Sequence, residues 1–169
     1  MKTFDISKLS AKYAVRTLGP ADAALVLALC AGNPQFYRYS PAEPSERQVL
    51  SDMAALPPGI PPSRKVYVGF FEGDALVAVM DVVDGYPDDA TAFIGFFMVA
   101  RAYQGRGVGG AIVAEALAYL KALGYAAARL CIDEGNPQSN AFWKKQGFHI
   151  LRRVARDVGS VLLAKKALQ

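Results

Sequence analysis

Apolar positions divide this chain into short extended runs and longer helical stretches. Residues 13–18 read as a short strand behind a polar N-terminal tail, ended by Gly19-Pro20. Residues 21–31 are apolar and alanine-rich, with Asp22 near their start. They predict a helix, stopped by Gly32-Asn33-Pro34. A second helix is predicted from Ser45 to about Leu56, with Ser45 as N-cap and Gln48 as its capping-box partner. Pro57-Pro58-Gly59-Ile60-Pro61-Pro62 reads as a stiff, extended linker. Residues 65–71, rich in Val, Tyr and Phe, then form a strand that turns at Glu72-Gly73-Asp74 and returns over 76–83. A polar loop, 84–89, leads to a third strand at 92–99. That strand is almost wholly apolar, which predicts a central position buried on both faces. A helix from about Gly109 to Leu123 is stopped by Gly124. A strand at 127–132, a short helix at 139–146 and strands near 148–154 and 160–165 complete the chain.

The pattern contains no internal repeat. The proline-rich linker leaves too little on its N-terminal side for a second domain. The expected fold class is α/β (α+β): one domain over 1–169, with a mixed, mostly antiparallel sheet flanked by helices.

Composition narrows the class further. With 169 residues and 53% hydrophobic content, the chain can bury a sizeable core. No apolar run reaches the ~20 residues of a membrane helix. The alanine-rich stretch 110–128 is interrupted by Glu115, Lys121 and Gly124. The start Met-Lys-Thr-Phe-Asp-Ile-Ser-Lys has no apolar segment behind its lysine, so a cytoplasmic location without membrane attachment is expected. Cys30 and Cys131 lie far apart without metal-ligand spacing and are expected as buried thiols, a disulfide being left to geometry. The net charge of +4 is spread along the chain, which gives no nucleic-acid stripe. A polyanionic small ligand suffices to explain it, as does a solubilising surface. Ser-His-Asp, HExxH and CxxC arrangements are absent from the sequence, so hydrolase and metal chemistry have no support.

The chemistry gathers at Tyr103-Gln104-Gly105-Arg106-Gly107-Val108-Gly109-Gly110, between the apolar run 93–99 and the alanine-rich helix. The first amides of a helix lack internal partners, and the dipole adds positive charge there. Glycines let a phosphate approach the backbone. No Lys-Ser or Lys-Thr follows, which excludes a P-loop. Gly105 to Gly110 fits the dinucleotide string G-x-G-x-x-G, but that loop wants an acid about 20 residues on, and Asp133 and Glu134 lie beyond this. Gln104, Gly107 and Gly109 also fit Q/R-x-x-G-x-G/A. This resembles the pyrophosphate loop of the GNAT superfamily of N-acetyltransferases. The later segment from Asn136 to Phe148 resembles the family's second signature, with Asn136, Ser139 and Gly147-Phe148 at its marked positions. The resemblance covers residues 93–148.

The resemblance implies a fold in which the strand before the glycine loop and the strand after its helix splay apart to admit the pantetheine arm of acetyl-CoA. Phe97, Met98 and Val99 would offer backbone to that arm, as an added strand does. Gln104, Gly105, Arg106, Gly107, Val108, Gly109 and Gly110 would hold the pyrophosphate, chiefly through amides. Arg106 could also pair a phosphate through its side chain or lie in solvent. Asn136 would contact the arm, while also starting an Asn-Pro turn. Ser139 is read as N-cap of the short helix first and cofactor contact second. Lys144 and Lys145 would face the 3′-phosphate or form a charged helix face.

Trp143 stands where the family often has a Tyr that protonates the departing thiolate. Its indole can donate a hydrogen bond but not a proton. Trp143 is therefore a candidate catalytic and cofactor-contact position, with core packing as its simpler reading and Tyr86, Tyr103 or a water as replacement acid. Asp81, an acid within an apolar strand, is the first choice of general base, with a shifted pKa if buried, and Asp84 the second. His149 is read as structural. The implied function is acetyl-CoA-dependent transfer of an acetyl group to a primary amine by direct attack on the thioester. The alternatives are a non-catalytic acyl-CoA-binding or regulatory protein and, lower, a dinucleotide oxidoreductase. The acceptor would be a small-molecule or protein amine, with a homodimer also allowed. Residues 33–40 and 84–91 would shape its pocket, with Phe36, Tyr37, Tyr39 and Tyr86 as aromatic lining.

Overall fold

The computed structural model describes residues 2–169. The strands are β1 (Ala14–Thr17), β2 (Lys65–Glu72), β3 (Ala75–Asp84), β4 (Thr91–Val99), β5 (Ala127–Asp133), β6 (His149–Ala155) and β7 (Ser160–Ala167). They form one sheet in the order β1-β2-β3-β4-β5-β7-β6. The helices are α1 (Ala23–Ala31), α2 (Pro34–Tyr37), α3 (Glu46–Ala54), α4 (Val108–Ala122) and α5 (Pro137–Lys145). The mixed, mostly antiparallel sheet is the one expected. Among the described residues its only parallel pair is β4 with β5, joined by the crossover through α4 that parallel pairing requires.

Helices cover both faces of the first four strands. On one face, which we call the back, α4 places Ile112, Val113, Ala116 and Leu120 against Met80, Val82, Ala92, Ile94, Ala128 and Leu130. On the front face, Val26 and Leu29 of α1 and Val49 of α3 meet Tyr67, Val79 and Met98. Each large aliphatic side chain buried this way stabilises the fold by ~1.5–3 kcal/mol. No helix among the described residues is long and apolar enough to cross a membrane.

The central strands part as expected. β4 pairs β5 only from Thr91 opposite Ala127 to Ile94 opposite Leu130. Beyond that point β4 stays on β3 and β5 stays on β7. A bulge explains the departure. Asp81 faces Phe96 and Val82 faces Ile94, so Gly95 is an extra residue in β4. Bulges bend a strand and increase its twist. The expectation that 92–99 is buried on both faces therefore fails beyond Ile94, where only Met98 is buried, and Phe93 before it is half-buried. Gly95 is exposed, and Phe96, Phe97 and Val99 are half-buried, because β5 no longer lies beside them.

Other differences are local. The N-terminal tail forms a 3-10 turn at Ile6–Leu9 that drives Leu9 fully into the core. A second short helix, α2, follows Asn33, since Pro is well placed in a first turn. The Pro57–Pro62 segment is not extended throughout: the Ile60 amide bonds the Pro57 carbonyl and folds it into a turn. Ser45 caps α3 by accepting from the Gln48 amide, but the Gln48 side chain bonds Asp52 instead of closing a capping box.

Candidate active site

Gly107 is the N-cap of α4, with φ +76°, and Gly105 has φ +73°. A Cβ at either would meet nothing within 4 Å, so backbone conformation, not space, requires glycine there. The first helical bond runs from the Ala111 amide to the Gly107 carbonyl, 3.0 Å. The amides of Gly105, Arg106, Gly107, Val108, Gly109 and Gly110 have no acceptor among the described residues. This row, at the positive end of a 15-residue helix, suits an anion.

Gln104 does not join the row. Its amide bonds the Arg101 carbonyl at 3.1 Å. Its side chain donates to the Val99 carbonyl at 2.8 Å and to Asn33 Oδ1 at 2.5 Å. The expectation that the Gln104 amide faces phosphate is thus corrected: the residue ties the loop to the end of β4. Asn33, buried and read from sequence as a helix stop and the start of a pocket loop, donates to the same Val99 carbonyl and to the Leu29 carbonyl. The Arg106 guanidinium turns back to the Ala102 carbonyl, 2.8 Å, and lies over the Tyr103 ring.

The parted strands leave backbone open, though less than the sequence implied. The Ala100 amide bonds the Val77 carbonyl, so Met98 opposite Val79 is also a hydrogen-bonded pair with β3. Met98 therefore turns its amide and carbonyl away from the opening. Val99 turns toward it, but its carbonyl is occupied by Asn33 and Gln104. The groups left facing the opening are the Phe97 amide and carbonyl and the Val99 amide.

Across the opening, Asn136 caps α5 by accepting from the Ser139 amide at 3.1 Å. The helix starts at Pro137, and the cap is Asn136 and not Ser139 as expected. Asn136 is buried, and its side-chain NH2 makes no hydrogen bond among the described residues. Trp143 is buried within an aromatic cluster, 5.9 Å from Phe97, 4.9 Å from Phe142 and 5.3 Å from Phe148 by ring centroids. It packs, and has no side-chain partner for a proton. Close approach of α4 to this cluster needs Gly109, where a Cβ would lie 3.2 Å from Val99 and 3.3 Å from Phe142. Lys144 and Lys145 are exposed on the last turn of α5.

Asp81 lies on the front face, 5% exposed. Its Oδ2 is 2.8 Å from Lys65 Nζ, and Lys65 also donates to the Asp52 and Ala55 carbonyls at the end of α3. Oδ1 has no partner among the described residues. The carboxylate sits across Gly95, where an added Cβ would come within 3.0 Å of Oδ2 and 3.3 Å of Oδ1. Burial pushes its pKa up to about 6, and Lys65 only partly offsets this. Lys65 and Gly95 were not anticipated. A lone glycine in an apolar strand was the available sign of a bulge.

The alternative acids and bases are occupied or remote. Asp84 is buried and accepts from the Tyr125 hydroxyl and the Lys2 amide. Tyr103 donates to Glu72 at 2.8 Å, which holds its pKa above the usual value. Tyr86 rests edge-on against Phe93, 5.5 Å, at the paired end of β4. His149 is exposed at the start of β6. Both cysteines are free: Cys30 is buried as expected, but Cys131 is exposed on the uncovered front of β5. The segment 38–41 reaches the β6–β7 hairpin, and the two enclose a cavity of about 120 Å³ with Arg38, Asp133, Arg156 and Ser160 in its wall. Residues 84–91 take no part in it.

A sheet opened beside a helix whose first amides are bare offers a place for an extended chain that carries an anionic group. The model of the acetyltransferase (GNAT) family matches residues 33–148, more than half of the chain, and the protein belongs to that family. Solved structures share its fold. An acetyltransferase from Thermus thermophilus is 23% identical, with a TM-score of 0.72 over 90% of this chain and 95% of that one. The paia N-acetyltransferase from Thermoplasma acidophilum, solved with coenzyme A, is 16% identical, with a TM-score of 0.65 over 92% and 99%. An acetyltransferase of the GNAT family from Streptococcus pneumoniae is 16% identical, with a TM-score of 0.63 over 92% and 99%. No curated protein matches the sequence.

Proposed function

We propose that the protein is an acetyl-CoA-dependent N-acetyltransferase that acts on a primary amine by direct attack. Acetyl-CoA would supply an activated thioester, giving up its acetyl carbon to nitrogen and leaving as the thiol. The residues present fit it. The amides from Gly105 to Gly110 would take the pyrophosphate. The Phe97 backbone and the Val99 amide would take an amide chain between the parted strands, aided by the Asn136 side chain. Ser139 and Trp143 would flank it.

The observation that carries the reading is the unpaired Asp81 oxygen beside Gly95, at the point where β4 leaves β5. An amine arriving there as ammonium would pass a proton to this carboxylate before its nitrogen forms the new bond. With a pKa of about 6, Asp81 is ionised at neutral pH yet basic enough to accept. Holding amine and thioester together can supply several kcal/mol of the barrier, ~7–11 in the best-aligned cases. Trp143 provides no acid, so the thiolate would take, through water, the second proton shed by the attacking nitrogen. Acid help is typically worth ~10²–10⁴-fold, so turnover is expected to be modest.

Trp143 is also what favours the second reading, a non-catalytic acyl-CoA-binding protein. Single-turnover thiol release with acetyl-CoA and an amine library separates the two. Amine-dependent release supports the transferase, whereas tight binding with no release in any amine supports the binding protein.

A further inference from the structure

Two buried side-chain atoms lack a partner among the described residues: Asp81 Oδ1 and Arg129 Nε. They carry opposite charges and flank the same segment of β4. Asp81 is on β3, level with Phe96, and Arg129 is on β5, level with Phe93. The neighbours of Arg129 on its strand, Ala128 and Leu130, point into the core behind the sheet, so Arg129 points forward, as Asp81 does. It stands one residue before the last β4–β5 pair, at the vertex of the opening. Two strand spacings and about two residues of rise separate the Cα atoms by ~12 Å, which a long arginine side chain shortens to the span of a small molecule.

No nitrogen of Arg129 makes a hydrogen bond or ion pair among the described residues. Directly across the β5–β7 ladder stands Lys165, half-buried and likewise without a partner. Like charges opposite each other in a sheet are destabilising, and a partly buried guanidinium without an acceptor adds to that. The nearest acid on that face of β5, Asp133, is four residues away and is paired with Arg156 at 3.4 Å. An arriving anion would therefore meet two uncompensated cations.

We infer that the acceptor is a small amino acid, with its amino group at Asp81 and its carboxylate at Arg129 and Lys165. This rests on the transferase reading and specifies its substrate class. A simple amine leaves Arg129 unpaired, and a site built to bind a polar group rejects analogues that lack it. A diamine sets a second ammonium against Arg129 and Lys165, where like charges repel.

The test compares neutral amino acids, the amines formed from them by decarboxylation, and linear diamines, in acetyl transfer and in calorimetric binding to the coenzyme A-loaded protein. Amino acids are expected to lead by ~10-fold to 10²-fold in kcat/KM, the worth of one charge-assisted hydrogen-bonded contact. Arg129→Met should erase that lead by raising KM, with coenzyme A affinity kept and the melting temperature no lower. Lys165→Met should reduce it in part.

Equal or better use of simple amines or diamines, or a lead that survives Arg129→Met, overturns the inference. Failure of any amino acid to bind the loaded protein overturns it too, whatever the transfer assay gives. Binding of amino acids that depends on Arg129, but with no transfer, upholds the subsite and removes the transferase reading instead.

Discussion

Asp81 and Lys65 stand 2.8 Å apart with side chains 7% and 6% exposed, yet the carboxyl titrates near 6 because burial penalises its charge more than one ammonium restores. Lys65 is shared with two carbonyls of α3, which dilutes its pull. At pH 5 about one carboxyl in ten is ionised, and at pH 7 about nine in ten. Transfer is expected to rise across that interval. Asp81→Asn should flatten this limb of the pH profile and lower kcat by ~10²–10⁴-fold, with acyl-CoA affinity unchanged in a thermal-shift titration. The linkage sign is the reverse of the usual aspartate: the folded state holds this proton more tightly, so the contribution to stability is greatest below about pH 4 and falls as pH rises through 6. Lys65→Met removes the cation paired with the carboxylate, leaving Tyr67 and Asp52 nearby. The acidic limb should then move above pH 6, by a unit or more. Asp81 was readable in the sequence because a carboxylate is anomalous in an apolar strand. Lys65, Asn33 and Arg129 were not, because strand register and helix docking, which the sequence does not display, create their partnerships.

At the scale of elements, one extra residue does much of the positioning. Gly95 lets β4 bulge away from β5 and leaves room for the Asp81 carboxylate. Gly95→Val would set a branched side chain against that carboxylate and should reduce transfer strongly while acyl-CoA still binds. Loss of both activities together would mean that the opening itself had collapsed. The α4 start carries the complementary case. Gly107→Glu places a carboxylate against the bare amides and forces a β-carbon into a left-handed backbone, φ +76°. Acyl-CoA should then give no thermal shift at any concentration. Element order and type were readable because the strand and helix rhythms are strong from 65 onward. The short helix at Pro34–Tyr37, the turn in the proline segment and the docked Ile6–Leu9 turn were not. Each is a few residues long and is settled by what it packs against.

Across the whole molecule, the opening divides the sheet into a sandwiched part and an exposed part. β1 to β4 lie between two layers of helices, whereas no helix among the described residues covers the front of β5, β7 and β6, and most of β6 is exposed. The parted strands are held from opposite sides, by β3 and by β7, so backbone groups between them can stay unpaired without loss of the fold. A ligand that satisfies these groups binds the folded state alone. At a hundredfold excess over its Kd, such a ligand adds ~2.7 kcal/mol of stability. For a chain of this size that corresponds to a rise of ~5–10 °C in melting temperature. Hydrogen exchange should locate the gain. The amides of Phe97, Val99 and Gly105 to Gly110 should exchange fast in the free protein and slow on adding acyl-CoA. Those of Val68, Phe70, Val79 and Met80, buried in the paired part of the sheet, should be slow in both states. Protection that appeared instead across the bare front of β6 would place the ligand on the wrong side of the sheet, and the amide row at α4 would lose its assignment.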